Sequence, residues 1–513
     1  MTLDGQVFDP QDRAARLYPT LFCRRCGEEY HACLLAERDG RHLVVARSID
    51  ESPLNDEDRA DRAGYLVPEP QDGREFRFDG TVDAYPESWT SNGRIKSDRR
   101  AFQPEHLTVA ADGTIGADGC AAWFIPGKFR FCLACGDQPA AGAREINKLA
   151  GLSVEGRSSA TTLLVSSALR WMNLPASPLP TDRRKLLGFT DNRQDAALQA
   201  GHFNDFQFVT LLRAAILRVV TAAGPDGLAE DEFGRRVQAA LGFVAINRKR
   251  RAEWMADPNA VGVSQIEAER TLGRVLTYRV WNDQRRGWRF INPNLEELGL
   301  VRASYVALDE LASDDAAFVH APAELRGASA ETRRSALRIL LDALRHGLAI
   351  TADALDQGTV DAIADAAGQS LREPWAMSRQ EKPRTTAALI VRAPSRTDTR
   401  AADETLIVRG GPRSRLARDL GRAELWGQRI GGTAYVNVLE ALLEAAETYQ
   451  LVRRVPTRFD VEGWRLAANA VRLLSAEGRV DGRDPNPYFV ALYRALSRSG
   501  RHPRRRRRRP VRH

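Results

Sequence analysis

Two short phrases constrain this chain more than any other feature: Cys23-Arg24-Arg25-Cys26-Gly27 and Cys132-Leu133-Ala134-Cys135-Gly136. Each is a C-x-x-C followed by Gly and preceded by an aromatic residue, Phe22 or Phe131. Two thiolates three positions apart can chelate one ion from a tight turn, and the Gly after the second tolerates the positive φ that points backbone N–H groups at sulfur. Two such knuckles supply a tetrahedral four-thiolate shell from Cys23, Cys26, Cys132 and Cys135. Zinc is the expected ion, with iron–sulfur chemistry the alternative for paired C-x-x-C spacing. A closed shell leaves no position for water, so the site reads as structural rather than catalytic. With about a hundred residues between the knuckles, the ion would staple a whole subdomain. Six cysteines in 513 residues are too few for a disulfide scaffold. Cys33 and Cys120 read as small buried hydrophobes, although His31 with Cys33 offers an alternative ligand pair.

The intervening sequence has a strand-like texture. Residues 42–46, 76–78, 106–110 and 123–125 are short β-branched or aromatic runs punctuated by Gly and Asp. A zinc-binding, β-rich subdomain is therefore expected over residues 1–145. Residues 157–172 then open with small polar residues and place Leu163, Leu164, Ala168 and Met172 on one helical stripe. Pro175, Pro178 and Pro180 end that helix.

At residues 186–189 an apolar run of strand length breaks at Thr190-Asp191 and leads into the helix-forming residues 196–200. In an open parallel sheet the crevice beyond a strand's carboxyl end binds ligands, and the first turn of the next helix attracts phosphates. Thr190, Asp191, Asn192, Arg193 and Gln194 are the candidates for contact with a nucleotide or a nucleic-acid backbone. The alternative is that Asp191 only caps the helix and Arg193 is solvated. An apolar helical run follows to Val220, and His202 reads as a packing residue.

Farther on, a turn at 224–227 precedes an amphipathic helix over 228–241, and residues 324–368 carry a broad helical apolar face. A helix over 439–446, an alternating stretch at 449–455 and a return at 463–466 make a winged-helix pattern, a kind of unit that often packs on nucleic acid. Arg285, Arg286 and Trp288 offer charge and a stacking face, as nucleic-acid contacts do, or form a solvated turn with a core Trp.

The chain's formal charge of +8 comes from its last sixteen residues, which hold nine arginines and no acid. Removing those nine from 75 basic residues leaves 66 against 67 acidic ones, so the body is near neutral and basicity is no argument for a nucleic-acid surface. The arginine run would be disordered or bind polyanions nonspecifically. With 69 Arg to 6 Lys the gene reads as GC-rich, and the tail as a shifted reading frame. The polar start shows no signal peptide, and the longest apolar run, 206–223, is interrupted by Arg213 and Arg218. A cytoplasmic protein with no membrane partner is expected.

The segment FTDNRQDAALQAGHFNDF, 189–206, resembles motif IV at the start of the second RecA-like domain of large bacterial superfamily 2 (DEAD/DEAH-box) helicases, the zinc-containing group of DNA repair and phage defence. LFCRRCGEEY (21–30), FRFCLACGD (129–137), the RRGW phrase (285–288), the PNLEELGL phrase (293–300) and NPYFVALY (486–493) resemble the same group in the same order. The resemblance implies an α/β protein with α+β insertions: the zinc-stapled subdomain, a partial RecA-like parallel sheet opening over 146–223, winged-helix-like units over 224–310 and 396–485, a helical region over 311–395, and a truncated return with the tail over 486–513. It also implies DNA as partner, and ATP with magnesium as cofactors of an intact enzyme. ATP hydrolysis requires G-x-x-x-x-G-K-[ST] and D-E-x-x, and the arginine motif Q-x-x-G-R-x-x-R. Gly127-Lys128, Leu308-Asp309-Glu310-Leu311 and Gln428-Arg429 do not satisfy them. The expectation is a central helicase fragment, inactive without a first RecA-like domain. A non-enzymatic, zinc-stabilised nucleic-acid-binding or adaptor protein is the competing reading.

Overall fold

A computed structural model of the chain describes residues 7–23, 26–48, 61–70, 78–91, 93–116, 118–139, 145–151, 156–174, 176–188, 193–244, 248–285, 293–377, 382–394, 403–477 and 487–498. The N-terminal part is a seven-stranded antiparallel sheet built from β1 (Thr20–Cys23), β2 (Glu29–Arg38), β3 (Arg41–Ala46), β4 (Arg62–Pro68), β5 (Glu105–Val109), β6 (Cys120–Pro126) and β7 (Leu149–Gly151). Its order is β5-β6-β4-β2-β1-β7, with β3 also on β2. The ten-residue β2 is the spine: it pairs with β1 through its first residues, with β3 through its last, and with β4 along its other edge. Its alternation buries Tyr30 and Ala32 on the metal side and Cys33 on the other, so the sheet divides two small cores. Gly64 permits the approach of β4 to β6, because a Cβ there would meet the Ile125 carbonyl at 2.3 Å.

Strands expected at 42–46 and 123–125 fall within β3 and β6, and the one expected at 106–110 matches β5 except for its last residue. Phe78 is buried but belongs to no strand, and residues 76–77 lie outside the described set.

The second part is mostly helical: α1 (Gly156–Met172), α2 (Arg193–Ala223), α3 (Phe233–Leu241), α4 (Val263–Gln284), α5 (Ala330–His346) and α6 (Gln357–Ser370) precede α7 (Arg415–Leu420), α8 (Gly432–Thr448) and α9 (Pro487–Arg498). One apolar core runs from Phe206 to Tyr493 and takes side chains from α2 through α9. Helix α3 shows why: Phe233, Val237 and Leu241 recur every four residues and are buried, and Gly242 closes the helix in the left-handed conformation. Helix α9 lies on α2, where Tyr493 is fully buried and its hydroxyl lies 3.4 Å from Arg213.

Small sheets decorate this body. β8 (Val301–Tyr305) pairs antiparallel with the distant β13 (Val471–Ser475). β9 (Ala388–Ile390), β10 (Ile407–Arg409), β11 (Val452–Pro456) and β12 (Glu462–Leu466) form a four-stranded sheet ordered β10-β9-β12-β11. The described residues are thus mixed α/β with several small sheets, none of them closed. The helix and hairpin expected near 439–466 are present as α8, β11 and β12, with β9 and β10 extending the hairpin. Residues 276–280 are helical within α4, and β8 takes its strand partner from residues 471–475.

The strand expected at 186–189 is not seen at residues 186–188, which belong to no sheet; Leu187 is 82% exposed. Among the described residues no neighbouring strand supplies the hydrogen bonds a strand there would need. The only parallel strand pair among them is β9 with β10. Phe206–Asp226 is long and apolar enough to cross a bilayer, yet 67% of its apolar window is buried inside the protein. Arg213, which interrupts that run, is buried in an ion pair with Asp283 at 2.8 Å, so the stretch packs as a core helix.

Candidate metal centre

The two knuckles fold alike because they carry the same local signals. In the first, Cys23 N–H donates to the Glu28 carbonyl at 2.8 Å and Gly27 N–H to the Cys23 carbonyl at 2.9 Å. In the second, Cys132 N–H donates to Asp137 at 2.9 Å and Gly136 N–H to Cys132 at 2.8 Å. Gly27 and Gly136 have φ of 77° and 69°, the left-handed turn that glycine adopts without strain. β1 delivers the first knuckle and the turn after β6 the second. The sheet therefore closes the long sequence separation.

The four sulfurs lie within 4.8 Å of one another, with Cys23 to Cys135 at 3.9 Å and Cys26 to Cys132 at 3.6 Å. A tetrahedron with metal–sulfur bonds of about 2.3 Å has sulfurs about 3.8 Å apart. The cage therefore fits one tetrahedral ion; a multi-iron cluster, which interposes irons and sulfides, needs a wider one. Cys23, Cys132 and Cys135 are buried and Cys26 is partly exposed. Burial pushes the Cys132 thiol well above its ordinary pKa, while hydrogen bonding from Cys132 draws Cys26 down. A cation bound among the four sulfurs would hold them all as thiolates and offset their mutual repulsion.

The surroundings orient the ligands. The fully buried Tyr30 hydroxyl donates to Cys132 Sγ at 3.1 Å and accepts the Leu133 N–H at 2.9 Å. Cys135 N–H points at Cys132 Sγ at 3.5 Å. Phe129 meets Tyr30 edge-on at 5.0 Å, and Phe131 packs against Trp89 at 4.9 Å. Such outer partners fix ligand geometry as much as the ligands do.

Sequence reasoning missed the contribution of the helical body. Helix α7, capped by Ser414, lies on the second knuckle. Arg418 donates to the carbonyls of Leu133, at 3.1 Å, and Ala84, and its guanidinium covers Gly136, where a Cβ would come within 3.0 Å of Nε. Arg415, 3.3 Å from Asp419, stands close enough to Cys135 and Cys26 to feel their charge. Arg413 donates to Thr90, and Arg429 pairs with Asp79 at 3.2 Å. Arginines beside a metal tetrathiolate offset its net negative charge. The signal for this set was the density of arginine over 409–429, without any indication of what it faced.

The other candidates are less assembled. Thr190, Asp191 and Asn192 lie outside the described residues, and Arg193 and Gln194 form the first positions of α2. Arg285 is half-buried just past the end of α4; Arg286 and Trp288 lie outside the described residues. The PNLE phrase is a structural node. Asn294 and Glu297 exchange backbone–side-chain hydrogen bonds of 2.8 Å, and Glu296 pairs with the buried Arg345 at 2.6 Å and with His346 at 3.0 Å. Comparison with protein-family models, curated proteins and solved structures gives no match to the chain.

Proposed function

We propose that this chain is the zinc-bearing central part of an ATP-dependent DNA helicase of superfamily 2, which turns over ATP only with a first RecA-like domain that supplies nucleotide and magnesium. The observation that carries the reading is the order of its phrases, from the first knuckle through 189–206 and 285–300 to Tyr493. The cage of Cys23, Cys26, Cys132 and Cys135 supports it as the structural centre the resemblance implies, with zinc as the ion. In that assembly Asp191, Arg193 and Gln194 act at the nucleotide or at the nucleic-acid backbone. Translating the DNA that flanks the gene in all frames tests the reading. A phosphate-loop motif and a D-E-x-x segment upstream, with the arginine motif downstream, would support it. Intact unrelated genes on both sides would overturn it.

One observation favours the second reading, a zinc-stabilised adaptor that binds nucleic acid without catalysis. Residues 206–493 share a single core, as a free-standing protein would. The adaptor reading expects the purified chain to bind single-stranded DNA and to unfold its helical body in one cooperative step; exposed apolar surface and aggregation would count against it.

A further inference from the structure

Strand β8 of the β8–β13 ribbon, residues 308–309 after it and helix α5 line a cleft of about 220 Å³ that neither reading uses. Its floor follows from strand alternation: Val301, Ala303 and Tyr305 face the core, leaving Arg302 and Ser304 on the open face. Across the ribbon Arg472 stands directly opposite Ser304. One wall is the face of α5 that presents Arg334 and Arg338, one helical turn apart, and the end is closed by Leu308 and Asp309.

Charge in this cleft is unevenly compensated. Arg334 is held by Asp309 at 2.7 Å and Glu331 at 2.9 Å, which fixes its guanidinium at the rim. Arg338 has weaker holds, the Ala303 carbonyl at 3.4 Å and Asp342 at 3.8 Å. Asp342 Oδ1 is taken, accepting from the Tyr305 hydroxyl at 2.6 Å and from Arg345 at 2.9 Å, and its Oδ2 faces Arg338 only at 3.8 Å. Among the described residues Arg302 has no ion-pair or hydrogen-bond partner. Two guanidinium forks with spare donors beside a serine hydroxyl make phosphate-binding chemistry. No aromatic face is offered for a base, since the one aromatic ring, Tyr305, is buried and its hydroxyl is turned to Asp342. Contacts of this kind position a backbone and carry no sequence information. A cleft this small admits the backbone of one strand and not a duplex.

We propose that this cleft binds consecutive phosphates of a single-stranded nucleic acid, through Arg302, Ser304 and Arg338 with Arg334 and Arg472 at its edges. The proposal rests on the nucleic-acid partner named in both functional readings and gives the place of contact.

The test is fluorescence anisotropy of a labelled oligothymidine on the full zinc-loaded chain over a salt series, with inorganic triphosphate titrated as a second probe. Arg302→Glu with Arg338→Glu is compared with Arg41→Glu on the distant β3, and Arg302→Ala serves as a variant whose exposed, unpaired side chain leaves folding undisturbed. We expect the double variant to bind the oligonucleotide at least roughly tenfold more weakly. Its log–log salt slope should be shallower by about 0.7 for each arginine lost. Arg302→Ala should show a smaller loss, and Arg41→Glu should bind as the unaltered chain does. Binding unchanged in the double variant would overturn the cleft and leave the functional readings standing. An unaltered chain that binds triphosphate but not the oligonucleotide would overturn the nucleic-acid source in favour of a small phosphate ligand. Binding of neither probe would overturn the cleft and the nucleic-acid reading together.

Discussion

The N-terminal sheet and the helical body bury charge in opposite ways. In the sheet, four sulfurs are gathered in a largely dry pocket, where a bound ion would compensate their charge from within. In the body, Arg213 and Arg345 are equally dry, but each is met by carboxylates and carbonyls from remote parts of the same chain. The sheet's two cores are small, the one on the metal side rich in aromatic rings, whereas the body has one continuous apolar core. A small core depends on its staple; a large core depends on its buried groups staying paired. The comparison predicts that damage to the two parts separates.

The largest effect is expected from Cys132→Ser or from stripping the ion with a chelator. Metal binding to sites of this type supplies on the order of 10 kcal/mol of folding free energy. Limited proteolysis should then cut within residues 1–151 while residues 206–498 persist. An N-terminal part that stays protease-resistant without metal would break the comparison.

Next comes Asp283→Ala, which strands the Arg213 guanidinium in the core. Losing one partner of such a pair costs roughly 3–5 kcal/mol. The body's denaturation midpoint should fall with metal content unchanged, and a metal content that falls with it would show the two parts to be one cooperative unit.

Glu296→Gln removes the strongest partner of Arg345 and should cost about 3 kcal/mol. Burial alone would raise the Glu296 carboxyl, but Arg345 and His346 outweigh it and hold the group well below the ordinary carboxylate range. A lowered folded-state pKa means the stabilisation is complete above the unfolded value of about 4.3 and is lost as pH falls below it. The body should therefore weaken with acid below that point, and the Gln variant should lose that part of the dependence. Parallel pH profiles for the two proteins would exclude Glu296 as its source.

Arg418→Ala carries the smallest expected effect, about 1–2 kcal/mol of docking between the parts. Release of the ion to a chromogenic chelator should quicken while the sheet still folds. An unchanged release rate would mean that α7 only touches the knuckle without steadying it.

Local signals made some of this fold legible. The β-branched and aromatic runs at 42–46, 106–110 and 123–125 pointed to strands, and the stripe over 157–172 to a helix, because these preferences are set by the residues themselves and their neighbours. The central strand β2 escaped notice: its run of Ala, Cys and Leu suits a helix as well, and only pairing with β1, β3 and β4 made it a strand. The apolar run at 186–188 shows the converse, since strand-like residues without a partner among the described residues form no strand.

The sequence alone marked the four candidate ligand cysteines and their knuckles, because each turn closes through hydrogen bonds between residues no more than five positions apart. Tertiary structure decided what stands around them: that Tyr30 bonds Cys132, that Arg415 comes near the sulfurs while Arg418 holds the Leu133 carbonyl of the second knuckle, and that β8 and α5 line a basic cleft. Those partners lie far apart in the chain, and only packing of the whole fold brings them within reach.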